Sequence, residues 1–210
     1  LAIKKSSNEI VAAIDADVVL DKHWLEILMK NLNKEKVVMC GGKMTEKSVE
    51  NRINKWRAKY YSQNWGNENI INPSFLFGCN CILLKSAWNK INGYNEELMT
   101  NGEDIDFSIR IKSIPDTNLF YSSRALSYHL QDDSLKSLSN RVWRYHSFGY
   151  KIKKVSIYRL LKLSIKQLKF LIKRIIENIF KFNFFFIYIS FIIFIKFIKL
   201  EICNYIKNKK

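Results

Sequence analysis

The chain has 210 residues, of which 48% are hydrophobic and 14% aromatic, and this composition excludes a largely disordered protein. The net charge of +16 is unevenly distributed, because residues 151–210 contain 15 Lys/Arg and 2 Glu, whereas residues 1–150 contain 20 Lys/Arg and 17 Asp/Glu. A nearly neutral body followed by a basic, apolar tail argues against a nucleic-acid binder and favours a membrane-surface element in the tail.

The first part of the chain predicts a strand and then a helix. The apolar run at residues 10–14 predicts a buried parallel strand. Asp21 is expected to cap a helix that extends to about Leu32. The apolar residues Trp24, Leu25, Leu28 and Leu32 are expected to share one face of this helix.

The next elements follow the same alternation. A second strand is expected at residues 37–40, where Gly41 and Gly42 would end it, and a helix rich in aromatic residues is expected at residues 48–64. The run FLFGCNCILL, residues 75–84, predicts a strand that is interrupted by Gly78. Strands that alternate with helices indicate an α/β fold.

Helical patterns dominate after residue 84, with two short strand candidates between them. KSAWNKI predicts a short helix that ends at Asn92-Gly93, and a second helix is expected from about Glu103 to Ser113, before Pro115. NLFYSS and ALSYHL predict two short strands. From Leu135 onward the pattern predicts helices only.

The first candidate site is the sequence D-A-D, residues 15–17, which directly follows the first predicted strand. Side chains at the carboxyl end of a parallel strand project into the crevice where open α/β sheets bind ligands, and alternation would point Asp15 and Asp17 the same way. Carboxylate oxygens suit Mg²⁺ or Mn²⁺, which take further ligands from water and substrate phosphates. The alternative is that both aspartates only form the turn.

The second candidate site is Gly102-Glu103-Asp104, at the start of a predicted helix. Acidic residues in the first turn are favoured by the helix dipole and can act only as caps. The functional alternative is that Gly102 lets the backbone approach a ligand while Asp104, close to helix-terminal amides, accepts a proton from a hydroxyl group.

Several motifs occur together in one order: D-A-D, F-G-C-N-C, N-G-Y-N-E-E, G-E-D-I-D-F-S-I-R and Y-H-L. This order resembles the second half of the catalytic domain of family 2 glycosyltransferases, and the resemblance covers residues 1–150. It implies a partial GT-A (nucleotide-diphospho-sugar transferase) fold with a mixed sheet, followed by C-terminal α-helices. The implied activity is inverting, metal-dependent transfer of a hexosyl group from a nucleotide-sugar to the hydroxyl of a glycan or lipid-linked acceptor.

The resemblance also implies roles for matching residues. Asp104 would be the catalytic base, and Glu103 would position the acceptor. The segment Asp15, Ala16 and Asp17 would contact the nucleotide-sugar, and Gly102 and Asn80 would contact substrate. The implied ligands of the Mg²⁺ or Mn²⁺ ion are Asp17, Asp15 and His129. For His129 the alternative is a histidine whose hydrogen bonds are satisfied at a strand end.

Two further expectations concern the ends and the cysteines. The sequence begins with Leu1, almost at the strand that precedes D-A-D, so we expect a fragment that lacks the N-terminal nucleotide-binding half. The four cysteines form no metal-ligand pattern, which favours reduced thiols and a cytosolic face. Because the N-terminal half is expected to be missing, the alternative function is a non-catalytic, truncated remnant that acts as a membrane-bound interaction module.

Residues 151–210 are expected to form a separate basic tail. Over residues 155–181, apolar side chains recur at helical spacing with lysines on the other face, which predicts an amphipathic helix, and the apolar run FFFIYISFIIFI follows at residues 184–195. Membrane association is expected, either across the bilayer or on its surface, with the catalytic domain on the cytoplasmic side. The apolar positions of the amphipathic helix are Ile157, Leu161, Ile165, Leu168, Ile172, Ile175 and Ile179.

Overall fold

The computed structural model describes residues 2–32, 34–47, 50–98, 101–147 and 155–208. The chain divides into two compact units, residues 1–49 with 60–131 and residues 50–59 with 132–210. The domain boundary predicted at residue 150 lies outside the described residues, as do the first two residues of the helix predicted at 48–64.

The first unit is a mixed sheet with short helices. Its strands are β1 (Ile10–Ile14), β2 (Val18–Leu20), β3 (Val37–Glu46), β4 (Ile70–Ile71), β5 (Asn80–Leu84) and β6 (Asn118–His129). Its helices are α1 (Ala2–Lys5), α2 (Trp24–Met29), α4 (Lys85–Lys90) and α5 (Glu103–Lys112), with one 3₁₀ turn at Lys34–Lys36. The strand order is β1-β5-β3-β6-β2, and β4 also pairs with β6. Only β3 and β6 are parallel, and the other pairs are antiparallel.

Both faces of the central strands are covered by apolar residues. Side chains alternate along β3 and β5, so Met39 and Leu83 join one cluster while Cys40 and Ile82 join the other. The first cluster also contains Phe107 and other residues of α4, α5 and β6. The second cluster packs α2 against the sheet through Trp24, Leu28 and Leu32.

Several predicted elements differ from the observed ones. β1 is an antiparallel edge strand with partly exposed residues, not a buried parallel strand, since β5 is its only partner. α2 ends at Met29, and Leu25 is exposed although the other apolar residues assigned to its face are buried. The predicted helix 48–64 is shorter, Arg52–Tyr60. The two short strands predicted near the end of this unit are one continuous strand, β6.

Strand β3 does not end at Gly41-Gly42 but continues to Glu46. The two glycines fit the strand because the space for a side chain is already occupied. A Cβ at Gly41 would lie 2.8 Å from Leu76 Cδ2, and a Cβ at Gly42 would lie 2.4 Å from the carbonyl oxygen of Ala125. The glycines therefore reflect close packing and not a strand end.

The second unit is helical, as predicted from Leu135 onward. It contains α3 (Arg52–Tyr60, except for its last residue), α6 (Leu135–Ser147), α7 (Ile157–Ile179) and α8 (Phe184–Lys207). Two buried carboxylates link these helices. Asp133 accepts hydrogen bonds from Arg57 and Ser137, and Glu201 accepts them from the Trp143 indole at 3.0 Å and the Ser147 hydroxyl at 2.6 Å.

The predicted amphipathic helix is confirmed as α7, but its apolar face is not the buried one. The predicted apolar positions are exposed, apart from the partly buried Ile175. The helix instead buries a narrow stripe formed by Gln167, Leu171, Arg174 and Asn178. Within the described parts of the chain, we find no helix with the length and apolar character that crossing a membrane requires.

The cysteines agree with the prediction of reduced thiols. Cys40, Cys79 and Cys81 are free and buried in the first unit, whereas Cys203 is free and exposed in α8.

Candidate active site

The D-A-D segment forms the turn between β1 and β2 and not the end of an extended strand. The Val18 amide donates to the Asp15 carbonyl oxygen at 3.1 Å, which closes the turn. Two further bonds anchor it: the Asp15 amide donates to the Cys79 carbonyl at 3.3 Å, and the Leu130 amide donates to the Asp17 carbonyl at 2.8 Å. The extended chain from which the same direction of Asp15 and Asp17 was predicted is therefore not found, because residues 15–17 form a turn.

The two aspartates of this turn affect each other electrostatically. Partial desolvation raises the pKa of Asp15 above its ordinary value, the charge of Asp17 raises this pKa further, and the charge of His129 lowers it. Two carboxylates that repel each other at one turn form a site where a bound cation is favourable.

His129 lies between two carboxylates. It is 5% exposed, its Nε2 lies 3.4 Å from Asp17 Oδ2, and its Nδ1 lies 3.1 Å from Glu46 Oε2. Glu46 was not predicted as a site residue. It comes next to the histidine because β3 and β6 run parallel, with Glu46 opposite His129 in the register. The only sequence feature that could have indicated Glu46 is its place at the end of a strand, and the predicted strand was too short to include it.

Asp15, Asp17 and His129 can hold a divalent cation only if water or a substrate phosphate supplies further ligands. Among the described residues there is no group of three or more His, Cys, Asp and Glu side chains arranged to hold a metal ion. Asp15 and Asp17 provide hard oxygen ligands, and the bond between Glu46 and His129 Nδ1 leaves Nε2 directed at Asp17. A histidine oriented by a carboxylate is a common arrangement at metal sites, so these residues fit a cation that takes its other ligands from water and phosphate.

The second acidic segment begins α5, as predicted. Gly102 precedes the helix with φ +94°, a conformation that favours glycine, and Glu103 and Asp104 occupy the first turn. Arg110 fixes the helix from its other end, because its guanidinium bonds Asp106 at 2.7 Å and the carbonyl oxygens of Ile91 and Gly93.

Asp104 occupies a desolvated position. The glycine at residue 78 lies against it, since a Cβ there would be 3.4 Å from Asp104 Cβ. Burial raises the pKa of Asp104 to about 6, and the charge of Glu103 contributes to this increase. Hydrogen bonds from the backbone amides of Ile105 and Gly78 lower the pKa but do not cancel the effect of burial. Glu103 itself is exposed.

The two acidic segments converge on residues 78–81. Burial raises the pKa of Cys79 to about 12, and the charges of Asp15, Asp104 and Asp17 add to this increase. Tyr94 also lies close to both acidic segments. Burial raises the pKa of Tyr94, and negative charges that include those of Asp104 and Asp15 raise it further. The structure therefore brings both acidic segments within electrostatic range of the same residues.

The remaining candidate residues differ in accessibility. Ala16 is exposed in the turn, and Gly102 is buried at the helix start. Asn80 is 1% exposed, and its Oδ1 accepts a hydrogen bond from the Trp24 indole at 2.5 Å. Its Nδ2 is buried and has no hydrogen-bond partner in the part of the chain that the structure describes. In this conformation Asn80 contacts the core under the site and not the solvent.

Residues 1–91 match the family model described as Glycosyl transferase family 2. The matched segment contains the D-A-D turn, Glu46 and residues 78–81, whereas Glu103, Asp104 and His129 lie beyond it. The mixed sheet and the C-terminal helices are consistent with a GT-A-like nucleotide-sugar transferase fold. No curated protein gives a significant match to the chain.

Proposed function

Because residues 1–91 match the Glycosyl transferase family 2 model, we propose that the protein is a family 2 glycosyltransferase, and specifically an inverting, metal-dependent hexosyltransferase. It transfers a sugar from a nucleotide-sugar to an acceptor hydroxyl. The observation that carries this proposal is the convergence of two acidic segments on residues 78–81, where Asp104 is desolvated and Asp15 shares a turn with Asp17.

Asp104 acts as the general base. An acceptor hydroxyl is a poor nucleophile until its proton is removed in the transition state. A carboxylate with its ordinary pKa is a weak base, and raising the pKa to about 6 increases its basicity while leaving it ionised near neutral pH. The backbone amide of Ile105 bonds Asp104 Oδ1 at 2.8 Å and limits its rotation.

Glu103 positions the acceptor beside the base. It is exposed and lies next to Asp104 in the first turn of α5, so it is available to accept a hydrogen bond from another hydroxyl of the acceptor. Its charge has a second effect, because it contributes to the raised pKa of Asp104.

The D-A-D turn holds the diphosphate end of the donor. Asp15 contacts the nucleotide portion, and Asp17 holds a Mg²⁺ or Mn²⁺ ion with His129. Such an ion, when bound, supplies Lewis-acid stabilisation of the charge that develops on the departing diphosphate. Glu46 keeps the imidazole oriented through its bond to Nδ1. With one base for the acceptor and a separate site for the diphosphate, the acceptor oxygen displaces the nucleoside diphosphate in one step. A single displacement inverts the configuration at the anomeric carbon.

The proposed location is the cytoplasmic side of a membrane, where nucleotide-sugars are supplied. The tail carries exposed apolar side chains and lysines on the same helix, α7, which favours association with a lipid surface. The acceptor class that fits this location is a lipid-linked or cell-envelope glycan, in a pathway that builds polysaccharide.

The test compares the Asp104→Asn variant with the matched Asp116→Asn variant, which changes an exposed acid that pairs with Lys36. Nucleotide-sugars are first screened for thermal stabilisation of the protein with Mn²⁺, and transfer is then measured with the donor identified. We expect Asp104→Asn to lose transfer by at least about 100-fold while donor binding persists, and Asp116→Asn to retain both. Equal turnover in the two variants would remove Asp104 from its role as base.

A further inference from the structure

Three exposed phenylalanine rings lie where α7 meets α8: Phe180 and Phe182 are in the turn, and Phe184 is the first residue of α8. Phe180, Phe182 and Phe184 are 80%, 81% and 65% exposed. We call residues 180–185 the hairpin turn. Single exposed apolar residues are ordinary, but three large rings within five consecutive residues form a patch that is typical of an interaction site.

The hairpin turn is held in place by hydrogen bonds. The Phe182 amide donates to the Ile179 carbonyl at 3.0 Å, and the Asn183 amide donates to the Asn178 carbonyl at 2.9 Å. Asn183 Oδ1 then caps α8 by accepting from the Phe186 amide at 3.2 Å. The backbone is therefore fixed so that the rings point outward.

A cationic cavity adjoins this turn. Its volume is about 540 Å³, and Arg52 and Lys55 of α3 line it together with residues 181–186. Lys181 is the third cation and also pairs with Glu177 at 3.9 Å, but none of the described residues that line the cavity is acidic. The Arg52 guanidinium lies 5.3 Å from the centre of the Phe185 ring, so this cation already sits on an aromatic surface. Three cations around one cavity favour an anion.

The exposed surface of α7 and α8 continues the apolar character of the turn. The exposed lysines Lys162, Lys166, Lys169 and Lys173 accompany it along α7. Apolar residues of α7 that are 44% to 55% exposed are Ile157, Leu161, Ile165, Leu168, Ile172, Ile176 and Ile179.

We propose that the hairpin turn and its cavity bind an anionic phospholipid of a bilayer, with the phosphate in the cavity and the phenylalanine rings in the acyl region. Basic side chains beside exposed aromatic and aliphatic residues match the phosphate and hydrocarbon layers of a lipid surface. A second copy of this chain is a poorer occupant, because residues 151–210 carry a net charge of +13 and two copies repel each other. This inference rests on the membrane association in the proposed function and names the surface and the lipid chemistry.

The test is flotation of the full chain with vesicles of phosphatidylcholine, with or without phosphatidylglycerol. We expect binding to prefer the anionic vesicles, and the triple variant Arg52→Gln/Lys55→Gln/Lys181→Gln to lose most of that preference, at about fivefold per charge removed. The matched control, Lys5→Gln/Lys22→Gln/Lys34→Gln, removes the same charge from exposed positions of the first unit and should keep most of the preference.

A second variant, Phe182→Ser/Phe184→Ser, tests the aromatic contribution. We expect weaker binding to both kinds of vesicle with an unchanged circular dichroism spectrum. Equal binding by all variants would overturn the proposal. Loss of binding to the same extent in both triple variants would also overturn it, as would binding of inorganic phosphate in the cavity without vesicle binding. A wild-type dimer that dissociates in the phenylalanine variant would overturn it as well. Sugar transfer to a soluble acceptor is measured in parallel, so its absence in every protein would count against the proposed function and leave the vesicle result intact.

Discussion

The Asp104→Asn substitution is expected to stabilise the fold while it removes the proposed base. Burial and the charge of Glu103 raise the pKa of Asp104 to about 6, from an ordinary value of 3.8. The ionised carboxylate is therefore less favourable in the folded protein than in the unfolded chain. An asparagine has a similar shape, can accept the same bond from the Ile105 amide, and carries no charge.

The size of the effect follows from the difference in pKa. At about 1.4 kcal/mol for each pKa unit, the shift corresponds to about 3 kcal/mol once the carboxyl group is fully ionised. Asparagine accepts weaker hydrogen bonds than a carboxylate does, so we expect a net gain of about 1–3 kcal/mol in the free energy of unfolding. For a chain of this length, that gain raises the melting temperature by about 3–10 °C.

The sign of the pH dependence is fixed by linkage. Between pH 3.8 and about 6 the folded protein retains a proton on Asp104 that the unfolded chain releases, so the stability of the wild type falls relative to the variant as the pH rises. The advantage of the variant should be absent below about pH 3.8 and complete above about pH 6.

Thermal unfolding of both proteins at a series of pH values measures this effect, with Asp116→Asn as the control. Because Asp116 forms an exposed pair with Lys36, its removal should change stability little at any pH. A variant at Asp104 that is less stable than the wild type at pH 7, or equally stabilised at every pH, would refute the claim that the charged carboxylate is desolvated.

Three further predictions concern neighbouring residues. Glu103→Gln should lower the pKa of Asp104, so the acidic limb of the pH–rate profile should move to lower pH; an unmoved limb would separate the two residues. Glu46→Gln should weaken Mn²⁺ affinity by about 10–100-fold in a thermal-shift titration with a nucleoside diphosphate present, and unchanged affinity would exclude an orienting role. Gly42→Ala should reduce stability to urea by about 1–3 kcal/mol, because the new methyl group would lie 2.4 Å from the Ala125 carbonyl oxygen; a more stable protein would contradict that packing.

The sequence predicted the helix that carries the proposed base more accurately than the strands around it. Gly102, the acidic first turn and Pro115 are local features, and α5 begins at Glu103 as expected from them. The length of β3 was not predictable in the same way. Its two glycines have low strand propensity, yet they are required because Leu76 and Ala125 occupy the space that side chains would need. Glu46 was not predicted as a site residue because the predicted strand ended at residue 40, whereas β3 continues to Glu46.

The orientation of α7 shows a different limit of the sequence. A helical pattern reveals which residues share a face but not which face contacts the rest of the protein. In α7 two polar residues of the buried stripe, Arg174 and Asn178, have partners there. The Arg174 guanidinium lies 4.8 Å from the centre of the Trp56 ring, and Asn178 Nδ2 donates to the Arg174 carbonyl at 2.6 Å. The apolar face, which a simple hydrophobic argument would bury, is left exposed.

Asp133, which is buried, and Asp104, which is partly buried, show how an acid with a structural role differs from the proposed base. Asp133 is buried in the second unit with Arg57 and Arg141 beside it, so its charge is compensated and links helices. Asp104 is also desolvated, but among the described residues no Lys or Arg pairs with it, and the charge that affects its pKa is that of the like-charged Glu103. Asp15 also has a like-charged neighbour, Asp17, although the charge of His129 offsets part of the effect on its pKa. A fold gains no stability from such unpaired acids, whereas a bound cation at the turn and a proton from an acceptor would relieve both, and this is the physical reason to assign the convergence to catalysis.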